Sequence, residues 1–119
     1  MNKLSPKDLQ ELNRKMLEFA GFVLAPYSAF DIPIWQDSNG VAYLVEPDFT
    51  RSMDACIEHI LPKLQEMGCS WYIGQPVGDI VHSHIHWIDS DKKFSGYDKE
   101  PSMAFCLAVE KMIDNKEEL

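Results

Sequence analysis

The sequence predicts a single α+β domain, in which an antiparallel sheet of about four strands packs against helices. Three segments carry apolar residues at three- and four-residue spacing, two pairs of β-prone runs lie between those segments, and a glycine-containing turn joins each pair. The predicted order is α-ββ-α-ββ-α, which places helices against an antiparallel sheet. A length of 119 residues suits one domain, residues 1–119.

The first helix is predicted to begin at Ser5 and Pro6 and to end at Gly21. Serine offers a side-chain acceptor to the free N–H groups of a helix start, and proline needs no N–H at the first helical position. One apolar stripe follows, formed by Leu9, Leu12, Met16, Phe19 and Ala20. Residues 22–33 are apolar but irregular, and two prolines limit any regular element there.

The next segment, IPIWQDSNGVAYLV, predicts a β-hairpin, because Asn39-Gly40 favours a tight turn. Thr50 or Ser52 can then cap a second helix. Its expected buried stripe consists of Met53, Cys56, Ile57, Ile60, Leu64 and Met67. Pro62 lies inside this helix and removes one backbone hydrogen bond, so we expect a kink or a shifted helix end.

A second strand pair is predicted over residues 69–73 and 80–89, followed by a charged loop from Ser90 to Glu100. Ser102 is expected to cap a third helix. The apolar face of that helix would contain Phe105, Val109, Met112 and Ile113. The tail, residues 115–119, is expected to fray.

The formal charge of −8 is unevenly distributed. From Met16 to Asp91, eleven acidic residues stand against two basic ones, Arg51 and Lys63. Nucleic-acid binding needs clustered lysine and arginine, so direct binding to DNA or RNA is not expected, and neither is binding to an anionic membrane. The acidity serves solubility or suits a partner protein with a basic surface, and solubility alone is the simpler interpretation.

Three cysteines, Cys56, Cys69 and Cys106, cannot all pair within one chain, and no two form a Cys-x-x-Cys motif. Small core thiols in a reducing cytoplasm are the expected use. No segment approaches the ~20 apolar residues of a membrane span. The polar, periodic N-terminus predicts a folded helix and not an export signal.

The run HSHIHWI, residues 82–88, is the one candidate for chemistry. Side chains alternate between the faces of a strand, so His82, His84 and His86 share one face. Val81, Ser83, Ile85 and Trp87 occupy the opposite, core-facing side. The preferred interpretation is a partly exposed polar face, and the three histidines are the candidate binding residues.

A metal site built from all three histidines is not expected. Alternate Cα atoms of a strand lie ~6.6 Å apart and the outer two ~13 Å apart, whereas each nitrogen must come within ~2.1 Å of zinc. Two neighbouring histidines can share an ion, but a third ligand would have to come from elsewhere. The only other histidine, His59, lies on the second helix. We therefore predict no metal and no cofactor.

The same run resembles the histidine triad motif of nucleotide hydrolases and transferases. In that family the middle histidine, which corresponds to His84, attacks phosphorus, and the flanking histidines orient it and support the leaving group. A neutral imidazole is chemically suited to such an attack. This resemblance implies the alternative function, a nucleotide hydrolase or transferase using His84.

Two other segments, PDFTRSMDACIEHILPKL and PSMAFCLAVEKMID, resemble the phage ABA sandwich domain, a family of small proteins from bacteriophages and prophages. The likeness covers residues 35–114. The residues that fit are Trp35, Pro47, Asp48, Phe49, Thr50, Ala55, Cys56, Ala104, Cys106, Ala108, Glu110 and Lys111. These motifs concern packing, so the resemblance implies a lineage and no reaction.

The expected function is therefore a phage or prophage accessory protein of unknown biochemical activity in the cytoplasm of a bacterial host. We expect a non-enzymatic, protein-binding module, with the inhibition of a host protein as one possible role. We expect its partner to present a basic surface, because the chain is acidic.

Overall fold

The computed structural model describes residues 4–25, 34–43, 45–88 and 91–115. Its fold is α+β, as the sequence predicts. The strands of this part of the chain form two antiparallel sheets of three strands each, in the orders β1-β2-β3 and β4-β5-β6. The prediction of one sheet with about four strands was wrong in both number and grouping. Helices pack against the sheets, as expected.

Helix α1, Pro6–Phe19, begins as predicted. The Ser5 hydroxyl accepts a hydrogen bond from the Asp8 backbone N–H at 3.2 Å, and the Asp8 carboxylate accepts one from the Ser5 N–H at 3.3 Å. This reciprocal pair occupies two donors that a helix start otherwise leaves free. Gly21 follows the helix with φ of 93°, a conformation that glycine adopts without steric cost.

The first sheet contains β1 (Val23–Ala25), β2 (Ile34–Gln36) and β3 (Ala42–Tyr43). The predicted hairpin is present between β2 and β3, and the Asp37 carboxylate accepts hydrogen bonds from two backbone N–H groups of its turn. Strand β1 corrects the expectation of no regular element after α1. Three residues are too few for alternation to show, and pairing with β2 defines the strand. Residues 26–33, with both prolines, lie outside the described residues.

The second predicted helix is interrupted. It comprises α2 (Met53–Ala55), a π-helical segment (Cys56–Ile60) and α3 (Leu61–Glu66). Pro62 has no N–H for an α-helical hydrogen bond, and the wider turn before it lets the Leu61 N–H reach the Cys56 carbonyl. We expected a kink or a shifted helix end at Pro62; the structure instead has a π-helical segment just before it, and the helix continues to Glu66.

The wider turn also changes which side chains of this helix are buried. Cys56, Ile60 and Leu64 are fully buried, whereas Ile57 is 47% exposed, which corrects its place in the predicted stripe. Of the two predicted caps, Ser52 is the one used, because its hydroxyl accepts a hydrogen bond from the Ala55 N–H.

The second sheet contains β4 (Cys69–Val77), β5 (Ile80–Trp87) and β6 (Lys92–Asp98). Strand β6 overturns the prediction of a charged loop over residues 90–100. Phe94 and Gly96 face inward, and Phe94 is buried. Gly96 is a strand glycine because helix α4 lies directly on it: a Cβ atom there would clash with the Ala104 carbonyl and come within 2.6 Å of the Ala108 nitrogen.

Helix α4, Pro101–Asp114, covers the inner face of β5 and β6 and also contacts α1. Phe105, Val109 and Met112 are buried, as predicted. Ser102 is not the cap, however. Its hydroxyl donates to the Thr50 carbonyl at 2.9 Å, so it joins α4 to the turn that precedes α2. The predicted fraying beyond residue 115 concerns residues outside the described ranges.

The turn at residues 46–50 brings together several of the side chains on which the phage-family resemblance rests. The thiols of Cys56 and Cys106 donate to the Phe49 carbonyl at 3.2 and 3.3 Å, and Asn13 donates to the Pro47 carbonyl and accepts from the Phe49 N–H. All three cysteines are free and buried, as expected. The adjacent Cys56 thiol and burial raise the pKa of the Cys106 thiol, which therefore stays protonated.

Candidate functional site

The outer face of the second sheet carries the candidate site. On β5, Ser83 and Ile85 are fully buried on the inner side, whereas the three histidines at even positions are half-buried on the other. The predicted alternation along residues 81–87 is therefore present. We call the cluster of Tyr72, His82, His84, Ser95 and Tyr97 on this side the histidine–tyrosine face.

Cross-strand pairing assembles this face. In the antiparallel register, His84 lies between Tyr72 of β4 and Ser95 of β6, and His82 lies between Gly74 and Tyr97. Residues directly opposite each other in a sheet have neighbouring side chains, so the register alone brings these rings together.

The rings contact one another in two pairs. His84 is stacked on Tyr72, with centroids 4.9 Å apart and planes 26° apart, and His82 meets Tyr97 edge-on at 4.9 Å. The two imidazoles are 6.1 Å apart between centroids. The four rings therefore form one continuous cluster across the three strands.

His84 has a defined ring orientation. Its Nδ1 atom lies 2.8 Å from the Ser95 hydroxyl oxygen, within hydrogen-bonding distance. The other nitrogen, Nε2, points over Gly74, where a Cβ atom would lie 3.3 Å from it. The absence of a side chain at residue 74 therefore gives the imidazole its space.

His86 has a different environment from the other two histidines. Its Nε2 atom lies 3.0 Å from a carboxylate oxygen of Asp91, a side chain that is 89% exposed. The structure thus places two of the three predicted residues in the ring cluster and pairs the third with a carboxylate. His59 packs among the rings of Phe22, Tyr43 and Phe49 and is a core residue.

Both tyrosines of the face are accessible, with Tyr72 50% and Tyr97 49% exposed. The Tyr97 ring already contacts a positive side chain, because the Lys111 ammonium lies 5.6 Å from the ring centroid. That distance is within the range of a cation–π interaction. At least one ring of the cluster is therefore oriented so that it can receive a positive charge.

Sequence reasoning did not place either tyrosine beside the histidines. Tyr97 falls in the segment predicted to be a loop, and Tyr72 lies on a strand whose register with β5 cannot be read from composition. The available signal was the alternation of Phe94, Gly96 and Asp98 with Ser95 and Tyr97, which has the period of a strand.

A cavity of about 300 Å³ lies elsewhere, lined by residues of α1 and of the turn before α2, among them Asn13, Glu46, Asp48 and Arg51. Its carboxylates already have intramolecular partners. Glu46 accepts hydrogen bonds from the Trp35 indole and from Asn13, and Asp48 accepts one from the Thr50 hydroxyl. No residue of β5 lines this cavity, so it does not supply the pocket that a catalytic His84 would need.

Within residues 4–25, 34–43, 45–88 and 91–115, no group of three or more His, Cys, Asp or Glu side chains is arranged to hold a metal ion. The helices in these ranges are also too short or too polar to cross a bilayer.

Comparisons with family models, with curated proteins and with solved structures find no match to this chain.

Proposed function

We propose that the protein is a non-enzymatic binding module whose histidine–tyrosine face contacts a protein with an arginine- and lysine-rich surface. The observation that supports this most strongly is the ring cluster itself: two half-exposed tyrosines stand beside two half-buried histidines on one sheet face. Tyrosine supplies a large, rigid contact area with a polar end, and it is enriched where protein interfaces gain most of their binding energy.

The chemistry of the rings favours a cationic partner. The contact between Lys111 and Tyr97 is an intramolecular example of the proposed interaction, in which a positive side chain lies over an aromatic ring. Guanidinium groups make such contacts more often than ammonium groups. An arginine of a partner can therefore pack against the exposed part of the Tyr72 or the Tyr97 ring in the same way.

The charge of the chain points to the same partner. The net charge is −8, and Asp79 lies in the turn before β5, near one end of the face. Complementary charge raises the rate of association and selects against partners of like charge. Solubility alone is the simpler explanation of the acidity. The peptide titration distinguishes that explanation from a role in binding.

The test is a titration of labelled peptides of defined sequence with the protein, in which fluorescence anisotropy measures binding. An arginine-rich peptide should bind saturably and more tightly than a lysine-rich peptide of equal length, and a glutamate-rich peptide should not bind. Replacing both tyrosines, Tyr72→Ala and Tyr97→Ala, should weaken arginine-peptide binding about tenfold, since two exposed cation–π contacts contribute about 0.5–1 kcal/mol each. The Phe double variant, which keeps both rings, should bind like the wild type.

A charge control completes the design. Glu66→Gln removes one exposed carboxylate from α3, which is not part of the face, and should change binding less than twofold. The proposal fails if the Ala double variant binds as tightly as the wild type while Glu66→Gln weakens binding. That result would indicate general attraction to an acidic protein.

The biological setting is proposed from the resemblance to the phage ABA sandwich domain alone. In that setting the protein is a phage or prophage accessory protein in a bacterial host, and a basic host protein is its target. A saturable partner from bacterial lysate should be retained by the wild type and lost by the Ala double variant at the same salt concentration.

A second candidate is a nucleotide hydrolase or transferase that uses His84. The observation in its favour is the contact of His84 Nδ1 with Ser95, which leaves Nε2 free to attack phosphorus. The pairing of His86 with Asp91 weighs against it, because that imidazole is already engaged. The candidate predicts turnover of a nucleoside phosphoramidate or a dinucleoside polyphosphate that His84→Ala abolishes, and it fails if the folded wild type shows no turnover.

A further inference from the structure

We propose that His82 and His84 form a two-ligand surface site for Zn²⁺ or a similar transition metal ion. The site lies within the histidine–tyrosine face, but metal binding is a separate property and can be tested with no partner present. Imidazole nitrogen is a preferred ligand for zinc, nickel and copper ions, and the two rings are already neighbours on one strand.

The spacing of the rings fits a shared ion. With metal–nitrogen distances of about 2.0–2.1 Å and a tetrahedral angle, the centroids of two imidazoles on one Zn²⁺ ion lie roughly 5 Å apart. The observed separation of the His82 and His84 centroids is 6.1 Å. Small rotations about the side-chain bonds close this difference, and the strand backbone need not move.

The surroundings of His84 resemble those of a metal ligand. Histidines that bind metals typically donate their other ring N–H to a nearby acceptor, which fixes the tautomer and the ring orientation. The Ser95 hydroxyl is placed to accept from Nδ1–H at 2.8 Å, and the Tyr72 ring stacks on the imidazole. Nε2 is then left with its lone pair available for an ion.

Gly74 gives this nitrogen its space. A Cβ atom at residue 74 would lie 3.3 Å from His84 Nε2 and 3.5 Å from the His82 Cβ atom, so it would crowd the space beside both side chains. Because interior glycines weaken strands, a glycine here needs a local reason, and close approach of another group is a common one.

Two protein ligands leave the remaining coordination positions to water. The arrangement matches the finding that no three metal-binding side chains converge in the described part of the chain. His86 is excluded from the site because its Nε2 atom already contacts Asp91. We therefore expect one ion per chain, bound more weakly than in a closed structural site with four ligands.

The experiment is competition of ZnCl₂ against a chromophoric chelator, together with NMR observation of the histidine ring signals. We expect a stoichiometry of one ion and shifted ring signals for His82 and His84 only. His82→Ala or His84→Ala should each weaken binding at least tenfold, and His86→Ala should change it less than twofold. MgCl₂, which prefers oxygen ligands, should not compete.

Two further variants test how the site is positioned. Ser95→Ala should weaken Zn²⁺ binding about tenfold, at the lower limit for loss of an outer-shell partner, and Ser95→Thr should restore it. Gly74→Ala should weaken Zn²⁺ binding without destabilising the fold, because its Cβ atom displaces only the His84 ring. A purely structural role for these residues would instead lower stability and leave the affinity unchanged.

The inference is overturned if His86→Ala weakens Zn²⁺ binding as much as His84→Ala, which would indicate a nonspecific histidine row. The inference is also overturned if wild-type protein that is shown by circular dichroism to be folded binds no Zn²⁺ at millimolar ZnCl₂. Neither result bears on the peptide titration, because no metal ion is added in that experiment.

Discussion

The inner and outer faces of the second sheet are formed by the same three strands but differ in what determines their side chains. On the inner face, Ile85 and Phe94 are buried under α4, Trp71 meets Phe105 edge-on, and Gly96 has no room for a side chain. On the outer face, every ring of the histidine–tyrosine face is at least partly accessible. Folding thus dictates the inner residues, whereas the outer residues are open to selection for binding.

Gly74 and Gly96 illustrate the difference between the two faces. Both lie within strands and neither has a positive φ. Gly96 is required by the backbone of a helix, and Gly74 only leaves space beside an imidazole ring. The same substitution at the two positions therefore separates a packing role from a role in positioning a ring.

The largest loss of stability is expected for Gly96→Ala. Its Cβ atom would clash with backbone atoms of Ala104 and Ala108, so α4 must move away from β6. We expect a loss of about 3 kcal/mol in the free energy of unfolding, at the upper end for overpacking. Urea denaturation measures this loss, and Gly74→Ala is the matched control, with an expected change below about 1 kcal/mol. Equal losses in both variants would contradict the assigned difference between the faces.

Next in size is Ile85→Ala, which creates a cavity in the core. Ile85 is fully buried beneath α4, and truncation of buried isoleucine costs about 2–5 kcal/mol. We expect about 2.5 kcal/mol, because the side chain lies near the centre of the sheet. The neighbouring variant His84→Ala should cost less than about 1 kcal/mol in the same denaturation series, since its ring faces outward.

A smaller loss is expected for Ser83→Ala, a polar residue on the inner face. Its hydroxyl is fully buried and accepts a hydrogen bond from the Trp71 indole N–H at 2.7 Å. Removal of the hydroxyl leaves that donor without its partner, at a cost of about 1–2 kcal/mol. Trp71→Phe removes the donor as well, so the double variant should lose less than the sum of the single losses. Strict additivity would show that the hydrogen bond contributes little.

The smallest effect on stability is expected for the outer tyrosines. Tyr72→Ala and Tyr97→Ala should each lower the free energy of unfolding by about 0.5–1 kcal/mol, the value of a cross-strand pair. The same substitutions should remove most arginine-peptide binding. A loss of stability as large as that of Ile85→Ala would mean that these rings are structural, and the binding proposal would lose its basis.

The sequence predicted the faces of β5 correctly because strict alternation over residues 81–87 has only one arrangement in a strand. It did not predict β6, because Gly96 among charged residues is typical of a loop unless the position of α4 is known. Ser102 was misassigned for a similar reason: a serine near a helix start is usually a cap, but here Pro101 begins the helix and the hydroxyl bonds to Thr50.

For the candidate site, the sequence identified the histidines but placed neither tyrosine next to them. The cluster depends on three-strand register, in which Tyr72 lies opposite His84 and Tyr97 lies opposite His82. Long-range register of this kind comes from the packing of the whole sheet and from its turns. Local composition carries little of that information, and so the residues that complete the face could only be found in three dimensions.

The most direct test of the account is an NMR titration of the isotopically labelled wild-type protein with the arginine-rich peptide, followed residue by residue. If the histidine–tyrosine face is the contact surface, the largest shift changes fall on Tyr72, His82, His84, Ser95 and Tyr97, while the buried residues of the inner face stay unchanged. Changes confined to the surroundings of exposed carboxylates such as Asp54, Glu58 and Glu66, with the outer sheet face unaffected, would contradict the proposed contact.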